Sequence, residues 1–217
     1  MKELSKGSLG ASIYDRVAQD LVRGKLRPNQ KITIRELAGA LGTSSTPVRD
    51  AVQRLLQDQA LEQRSVRDVR VPVLTVEQYL ELSRIRAELE GLAAGCAAER
   101  AGARDVARLA RITEQHEDAI AGGHATRAAG HNQRFHFALA EIAGMPVLLA
   151  ILHRLWLRMG PLIAGYYAHA HQDMTQQHRA VIAACEAGDP AAARAAMRAD
   201  IETAREGIIA YIGTLRT

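Results

Sequence analysis

Thr33-Ile34-Arg35-Glu36-Leu37-Ala38-Gly39-Ala40-Leu41-Gly42-Thr43-Ser44-Ser45-Thr46-Pro47-Val48-Arg49-Asp50-Ala51-Val52 is the stretch that decides the fold. Thr33 and Glu36 have capping-box spacing, so hydroxyl and carboxylate can each satisfy an orphan amide of a first helical turn. Leu37, Ala38 and Leu41 then line one face of a short helix that Gly42 stops. The run from Thr43 to Thr46 is dense in N-capping residue types, and Pro47 is tolerated only in a first turn, so another helix starts there. It turns Val48, Val52, Leu55 and Leu56 inward and carries Thr46, Arg49 and Gln53 on its outer flank. Upstream, Ile13, Val17, Leu21 and Val22 predict a helix within residues 12–26, closed near Gly24 and followed by the turn Arg27-Pro28-Asn29. Downstream, Leu61 to Arg64 and Val69 to Val71 read as a hairpin around Ser65 to Asp68. Helix, helix, tight turn, helix, hairpin is the order of a winged helix-turn-helix, whose third helix enters the major groove while the hairpin lies along the backbone or minor groove. Arg64, Arg67 and Arg70 load that wing. The plain alternative is a solvated polar face on a small helical cap.

Charge supports a functional head. Residues 1–75 hold 13 Lys and Arg against 8 Asp and Glu, including all four lysines (Lys2, Lys6, Lys25, Lys31), whereas residues 76–217 hold 15 against 16. A basic module joined to a larger neutral one suggests a polyanion-binding head on a body with another task. A chain of 217 residues, 47% hydrophobic and 24% charged, suits one or two compact domains. No apolar run approaches the roughly 20 residues of a membrane span, and Met1 to Gly10 lacks the apolar core of a secretory signal, so a soluble, cytoplasmic protein is expected. Cys96 and Cys185 sit in Ala-rich helical patterns and read as core fillers rather than a disulfide or zinc-finger pair.

From Thr75 onward the pattern is helical throughout, with helices expected near 76–101, 104–121, 125–143, 146–168, 172–187 and 190–214. They are punctuated by Gly102, Gly122-Gly123, Gly144, Gly188 and the helix-starting pair Asp189-Pro190. The fold class is therefore mainly α: a winged helix-turn-helix over residues 1–72 and an all-α antiparallel bundle over 73–217. The connector Pro72 to Thr75 is too short for a flexible tether, so head and body should be mechanically coupled.

These residues resemble a known family. Ile13-Tyr14, Gly24-Lys25-Leu26, Pro28, Arg35-Glu36-Leu37-Ala38, Leu41-Gly42, Thr46-Pro47-Val48-Arg49-Asp50-Ala51 and Leu55 look like the DNA-binding domain of GntR-type transcription regulators. The body, with Leu82, Arg86, Leu89-Glu90, Phe135-His136, His178 and Gly188-Asp189, is similar to the all-helical FCD ligand-binding domain of the FadR subfamily. The resemblance spans about residues 10 to 210. It implies operator contacts from Arg35, Ser44, Ser45, Thr46, Arg49, Gln53 and Arg67. Three positions depart from the pattern: Asn29 where Gly often follows Pro, Ser45 where Arg is usual, and Asp68 where the wing turn is commonly Gly.

A metal site is expected in the body. Asn132 and His136 lie within about 40° of each other on one helix. His178 shares a stripe with Val181, Ile182 and Cys185, and Asp200 borders the stripe of Met197, Ile201 and Ala204. Four N/O donors from three helices can converge on a bundle interior, where they suit zinc first, with nickel or manganese as alternatives. The resemblance implies Asp or Asn followed by three His at the matching positions, so Asp200 stands where a histidine is usual. The competing reading is a pair of hydrogen-bonded core histidines without metal. His116, His124, His131, His169 and His171 are expected at the surface.

Arg86 lies between Leu82, Leu89 and Ala93, a guanidinium in an apolar sector that needs a partner. Two partners are open: Glu90 one turn on, or a ligand carboxylate, which the resemblance implies. Trp156, Tyr166 and Tyr167 are given no role. The whole reads as a dimeric regulator, expected to repress, that binds a palindromic operator and responds to a small organic acid. A metal-dependent enzyme and an effector-free DNA-binding protein are the alternatives. Against the enzyme, no HExxH, GxSxG, phosphate-binding glycine loop or Cys-His pairing occurs.

Overall fold

The computed structural model describes residues 6–169 and 175–215, with side chains from Gly10 onward. Helix α1 spans Lys6–Val22, beginning earlier and ending sooner than its apolar stripe suggested, and Gly24 after it adopts φ 67°. Helix α2 (Ile34–Leu41) is capped by Thr33, whose hydroxyl accepts from the Glu36 amide, and ends on Gly42 in the left-handed conformation. Helix α3 covers Ser45–Gln57. A two-residue strand β1 (Lys31–Ile32) had no sequence signature. It pairs with β3 (Asp68–Arg70), which also pairs with β2 (Glu62–Ser65), giving a three-stranded antiparallel sheet in the order β1-β3-β2. Asp68 is therefore not in the wing turn: it opposes Ser65 in the ladder, and Val66-Arg67 form the turn. Asn29 takes φ 64°, a left-handed conformation that Asn tolerates better than most residues.

The body follows as α4 (Val76–Arg100), α5 (Ala103–Ala121), α6 (Ala125–Ile142), α7 (Pro146–Tyr167), α8 (Gln176–Ala187), α9 (Pro190–Thr203) and α10 (Arg205–Thr214). Thr75 and Gln78 form a complete capping box at the start of α4. The single last helix expected over 190–214 is two, broken at Ala204. No Gly or Pro marks the break, but the Thr203 hydroxyl bonds back to the Ala199 carbonyl, a contact that bends helices. The start of the helix expected from residue 172 lies outside the described residues.

One apolar cluster runs from the head (Val17, Leu21, Val48, Leu55) into the body (Leu152, Trp156, Met159, Tyr211), and a second fills the space among α4, α5, α6, α8 and α9. Helix α7 joins the two halves. Contrary to the sequence reading, it is long and apolar enough to cross a membrane by composition, but its apolar residues Leu148, Leu152, Trp156, Met159 and Leu162 are buried in the protein core. Gly160 lies against α1 so closely that a Cβ there would come within 2.6 Å of the Val22 Cα and 2.7 Å of its carbonyl oxygen. Head and body thus meet backbone to backbone, a contact as tight as the short connector led one to expect.

Candidate functional site

The head presents its polar residues to solvent. Arg35, Ser44, Ser45, Thr46, Arg49, Gln53 and Arg67 are all exposed. Ser44 occupies the N-cap position of α3 but makes no side-chain capping bond, so the amides of that first turn face outward unclaimed by it. The wing arginines divide into two groups. Arg70 is bound to Asp68 at 2.9 Å and to the Asn29 carbonyl at 3.0 Å, fastening the wing to the turn before β1, and Arg64 pairs with Glu62. Arg67 projects at the tip beside Val66, which is 91% exposed.

The body holds its polar residues inside. Asn132, His136 and His178 are buried, and Asp200 is nearly so. His136 and His178 each offer a ring nitrogen and Asp200 an oxygen, and these three atoms lie within 4.8 Å of one another. His136 Nε2 is 3.3 Å from Asp200 Oδ2 and 3.2 Å from Asn132 Oδ1, while His178 Nε2 is 3.5 Å from Asp200 Oδ1. The four residues predicted from spacing are brought together.

Of the two partners open to Arg86, the structure shows Glu90. The guanidinium grips it with both arms, Nε to Oε1 at 2.6 Å and Nη2 to Oε2 at 3.1 Å. Glu90 is a residue the sequence reading undervalued: its Oε2 lies 2.5 Å from His136 Nδ1 and its Oε1 accepts from Trp156 Nε1 at 3.0 Å. The Trp156 ring also lies under the Arg86 guanidinium, 4.4 Å from its centroid, so Trp156 has a role after all. Burial alone would raise the Glu90 carboxyl, but Arg86 and His136 pull it down to about 2. For His136, burial opposes charge, yet Glu90 and Asp200 raise it to about 9. Burial lowers His178 to about 4, against the pull of Asp200.

With His136 Nδ1 turned to Glu90, its Nε2 faces two oxygens, and a lone pair so placed requires a proton or a metal ion between them. Glu90 and Asp200 on either side of the ring favour its protonated form against the cost of burial. The donor set fits a divalent ion: two imidazoles, a carboxylate and an amide oxygen, with a carboxylate behind one imidazole to fix its orientation.

The expectation for His116 is overturned. It is fully buried, its ring 5.3 Å from that of His178 and 5.4 Å from that of Tyr167. A signal was present, because His116 falls on the α5 stripe with Leu109, Ile112 and Ala119. His124 and His169 are exposed as expected and His131 is half-buried, while His171 lies outside the described residues.

Residues 9–71 match the model for bacterial regulatory proteins of the gntR family, and residues 81–203 match the FCD domain. The chain is 31% identical over 171 residues to the HTH-type transcriptional regulator McbR of Escherichia coli K12, covering 79% of this chain and 77% of that one. The chain belongs to the GntR family, with an FCD body. A solved structure of Escherichia coli McbR/YncC superposes with a TM-score of 0.86 at 28% identity, covering 97% of this regulator and 99% of that chain. A probable D-xylose utilization operon transcriptional repressor of Paenarthrobacter nicotinovorans is 28% identical over 201 residues, covering 90% and 87% of the two chains. These relatives are transcription regulators rather than enzymes, which sets aside the enzyme reading of the buried cluster.

Proposed function

We propose that this regulator is a ligand-responsive repressor, working in the cytoplasm as a homodimer on a palindromic operator, whose DNA affinity is set by a divalent metal and a small organic acid in the FCD body. The observation that carries the reading is the convergence of His136, His178 and Asp200 donor atoms within 4.8 Å in the interior of a protein whose head exposes Arg49 and its neighbours. Asn132, His136, His178 and Asp200 would hold the ion, zinc by preference and nickel or manganese otherwise. The ion supplies a Lewis-acidic position for an oxygen ligand. Glu90, itself held by Arg86 and Trp156, keeps the His136 ring aimed at that position.

In the head, Thr46, Arg49 and Gln53 on α3 would read base edges, Arg35, Ser44 and Ser45 would meet phosphates, and Arg67 would follow the wing. Exposed apolar side chains on the body, Ile85, Val147 and Ile151, suit contact with a second copy. Two copies of one head fit two half-sites. Because α7 carries Trp156 at the cluster and Gly160 at the head, a ligand that shifts α7 would move α1 with it.

Metal binds only the folded state, so chelation should lower the melting temperature by the equivalent of about 2.7 kcal/mol if free metal is otherwise held at a hundredfold excess over its Kd. Zinc should restore it, and His178→Ala should abolish the response. Stoichiometric metal absent from gently purified protein, with no thermal shift on adding zinc, manganese or nickel, would refute the metal centre.

A further inference from the structure

The void of about 30 Å³ beside the buried cluster admits little more than one water-sized group, so a larger ligand needs another seat. The junction of head and body offers one. Where α1 passes α6 and α7, a cleft of about 560 Å³ falls within the range of small-molecule sites, roughly 300 to 1,000 Å³. Ala18 and Val22 of α1, Phe137 of α6 and Leu157 of α7 make its floor, all but Ala18 buried. The His153 ring stands edge-on to Phe137, 4.4 Å between centroids, so the middle of the cleft is aromatic.

Its cations stand at the two ends. Tyr14 and Arg154 line the cleft together, and the Arg154 charge acts on the Tyr14 hydroxyl, whereas Val22 lies against Gly160 and Gly24 against Ala164. The two helices therefore run side by side in one direction, with Arg154 at the Tyr14 end and Arg23 just beyond Val22, about 13 Å of helix away. Arg23 is half-buried. The nearby Asp20 is taken by Arg16 and Lys25, and neither Arg23 nor Arg154 has an ion pair or a side-chain hydrogen bond among the described residues. Asp15 is the one carboxylate on the wall, and its charge acts on His153 at the Arg154 end. Two separated cations over an apolar floor match a ligand with an acid group at each end and a ring between them.

The wall is also tied to the recognition helix. The Tyr14 hydroxyl donates to Asp58 Oδ2 at 2.6 Å, Asp58 holds the C-cap position of α3, and the Arg54 guanidinium of α3 lies over the Tyr14 ring, 4.3 Å from its centroid. A ligand spanning the cleft touches head and body at once, so its occupancy bears on where α3 sits. We propose that this cleft is a second effector site, taking an elongated aromatic diacid whose carboxylates meet Arg23 and Arg154 and whose ring lies over Phe137 and Leu157. Binding here is independent of the metal reading, while its effect on operator affinity rests on the regulator function proposed above.

Naphthalene-2,6-dicarboxylate serves as the probe and 2-naphthoate, with one carboxylate, as its comparison, both titrated calorimetrically into the full-length protein. Wild type should bind one diacid per chain at least tenfold more tightly than the monoacid, with or without chelator, and the bound diacid should shift operator affinity at least threefold. Arg23→Gln and Arg154→Gln should each weaken the diacid at least tenfold and erase its advantage over the monoacid. Asp15→Asn, which removes the opposing charge, should tighten it threefold or more, and such a gain decides the matter if the arginine variants lose stability. Diacid affinity unchanged in both arginine variants overturns the proposal, as does binding lost on chelation, which assigns the diacid to the metal centre. No diacid bound by wild type overturns it too, and dissociation of a dimer by Ala150→Arg, on the cleft wall, would then give the cleft to a second copy. Diacid held in the cleft with operator affinity unchanged overturns the effector role, whereas a protein that binds no DNA in any state fails the regulator reading and leaves the titrations to decide the cleft.

Discussion

Two ion pairs in this protein have the same 2.6 Å separation and opposite settings. Arg64 and Glu62 meet on the wing with side chains 45% and 37% exposed, and Arg86 and Glu90 meet in the bundle at 5% and 0%. In water the first pair gains little, because solvent and salt screen it and two long side chains must be held still. The second pair gives up hydration that only its own geometry can replace, so its value lies in what happens when one partner goes. The head and the body differ in the same way. One keeps its charges available to an outside polyanion, and the other uses them to hold a buried His136 in place.

The comparison breaks most visibly at Arg86. Arg86→Leu keeps bulk but strands Glu90 between His136 and Trp156, and should cost about 3 to 5 kcal/mol in chemical denaturation. Replacing both partners, Arg86→Leu with Glu90→Leu, should recover only part of that stability, because Trp156 Nε1 and His136 Nδ1 lose their acceptor, and it should weaken the metal site as His136 loses the carboxylate behind its ring. If Arg86→Leu alone is as stable as wild type, the buried pair is not structural and Arg86 returns as a candidate ligand anchor.

Sharpening comes from the opposite behaviour at Arg49. It is exposed on α3 and no described residue pairs with it, so Arg49→Ala should leave folding stability within about 0.5 kcal/mol. Operator affinity should fall by about 1 to 3 kcal/mol if Arg49 grips a base edge, and the loss should be larger on the operator than on unrelated DNA. Equal affinity for every DNA tested would remove α3 from the groove.

The same contrast explains what was legible in the sequence. The head is written in local signals: Thr33 caps α2, Gly42 ends it and Pro47 sits in the first turn of α3, each within a few residues of the element it controls. The strand β1 escaped because its two residues are a strand only by pairing with Val69 and Arg70, far along the chain. In the body, spacing found Asn132, His136, His178 and Asp200, since donors at helical intervals share a face. Whether Arg86 would choose Glu90 or a ligand was not written there, nor that Glu90 would also take His136 and Trp156, because those contacts depend on how α4, α6 and α7 pack. His116 was misread through its residue type: a histidine looks like surface, although its neighbours on the α5 stripe are apolar.

The smallest effect is expected at the exposed pair itself. Glu62→Gln removes a charge from the edge of the wing and leaves the backbone pairing of β2 with β3 intact, so stability should change by less than about 1 kcal/mol. Its consequence lies in DNA binding. Arg64, no longer held by a carboxylate at 2.6 Å, becomes available to a phosphate, and each further phosphate that the protein neutralises steepens the dependence of log affinity on log salt by about 0.9. Binding measured across a salt series should therefore be tighter than wild type at low ionic strength and converge with it at high. A parallel pair of salt curves would show that Arg64 stays clear of DNA, leaving Arg67 as the wing's contact. A stability loss above about 2 kcal/mol would erase the distinction between the two pairs, because the wing would then be held together by a salt bridge that water ought to have dissolved.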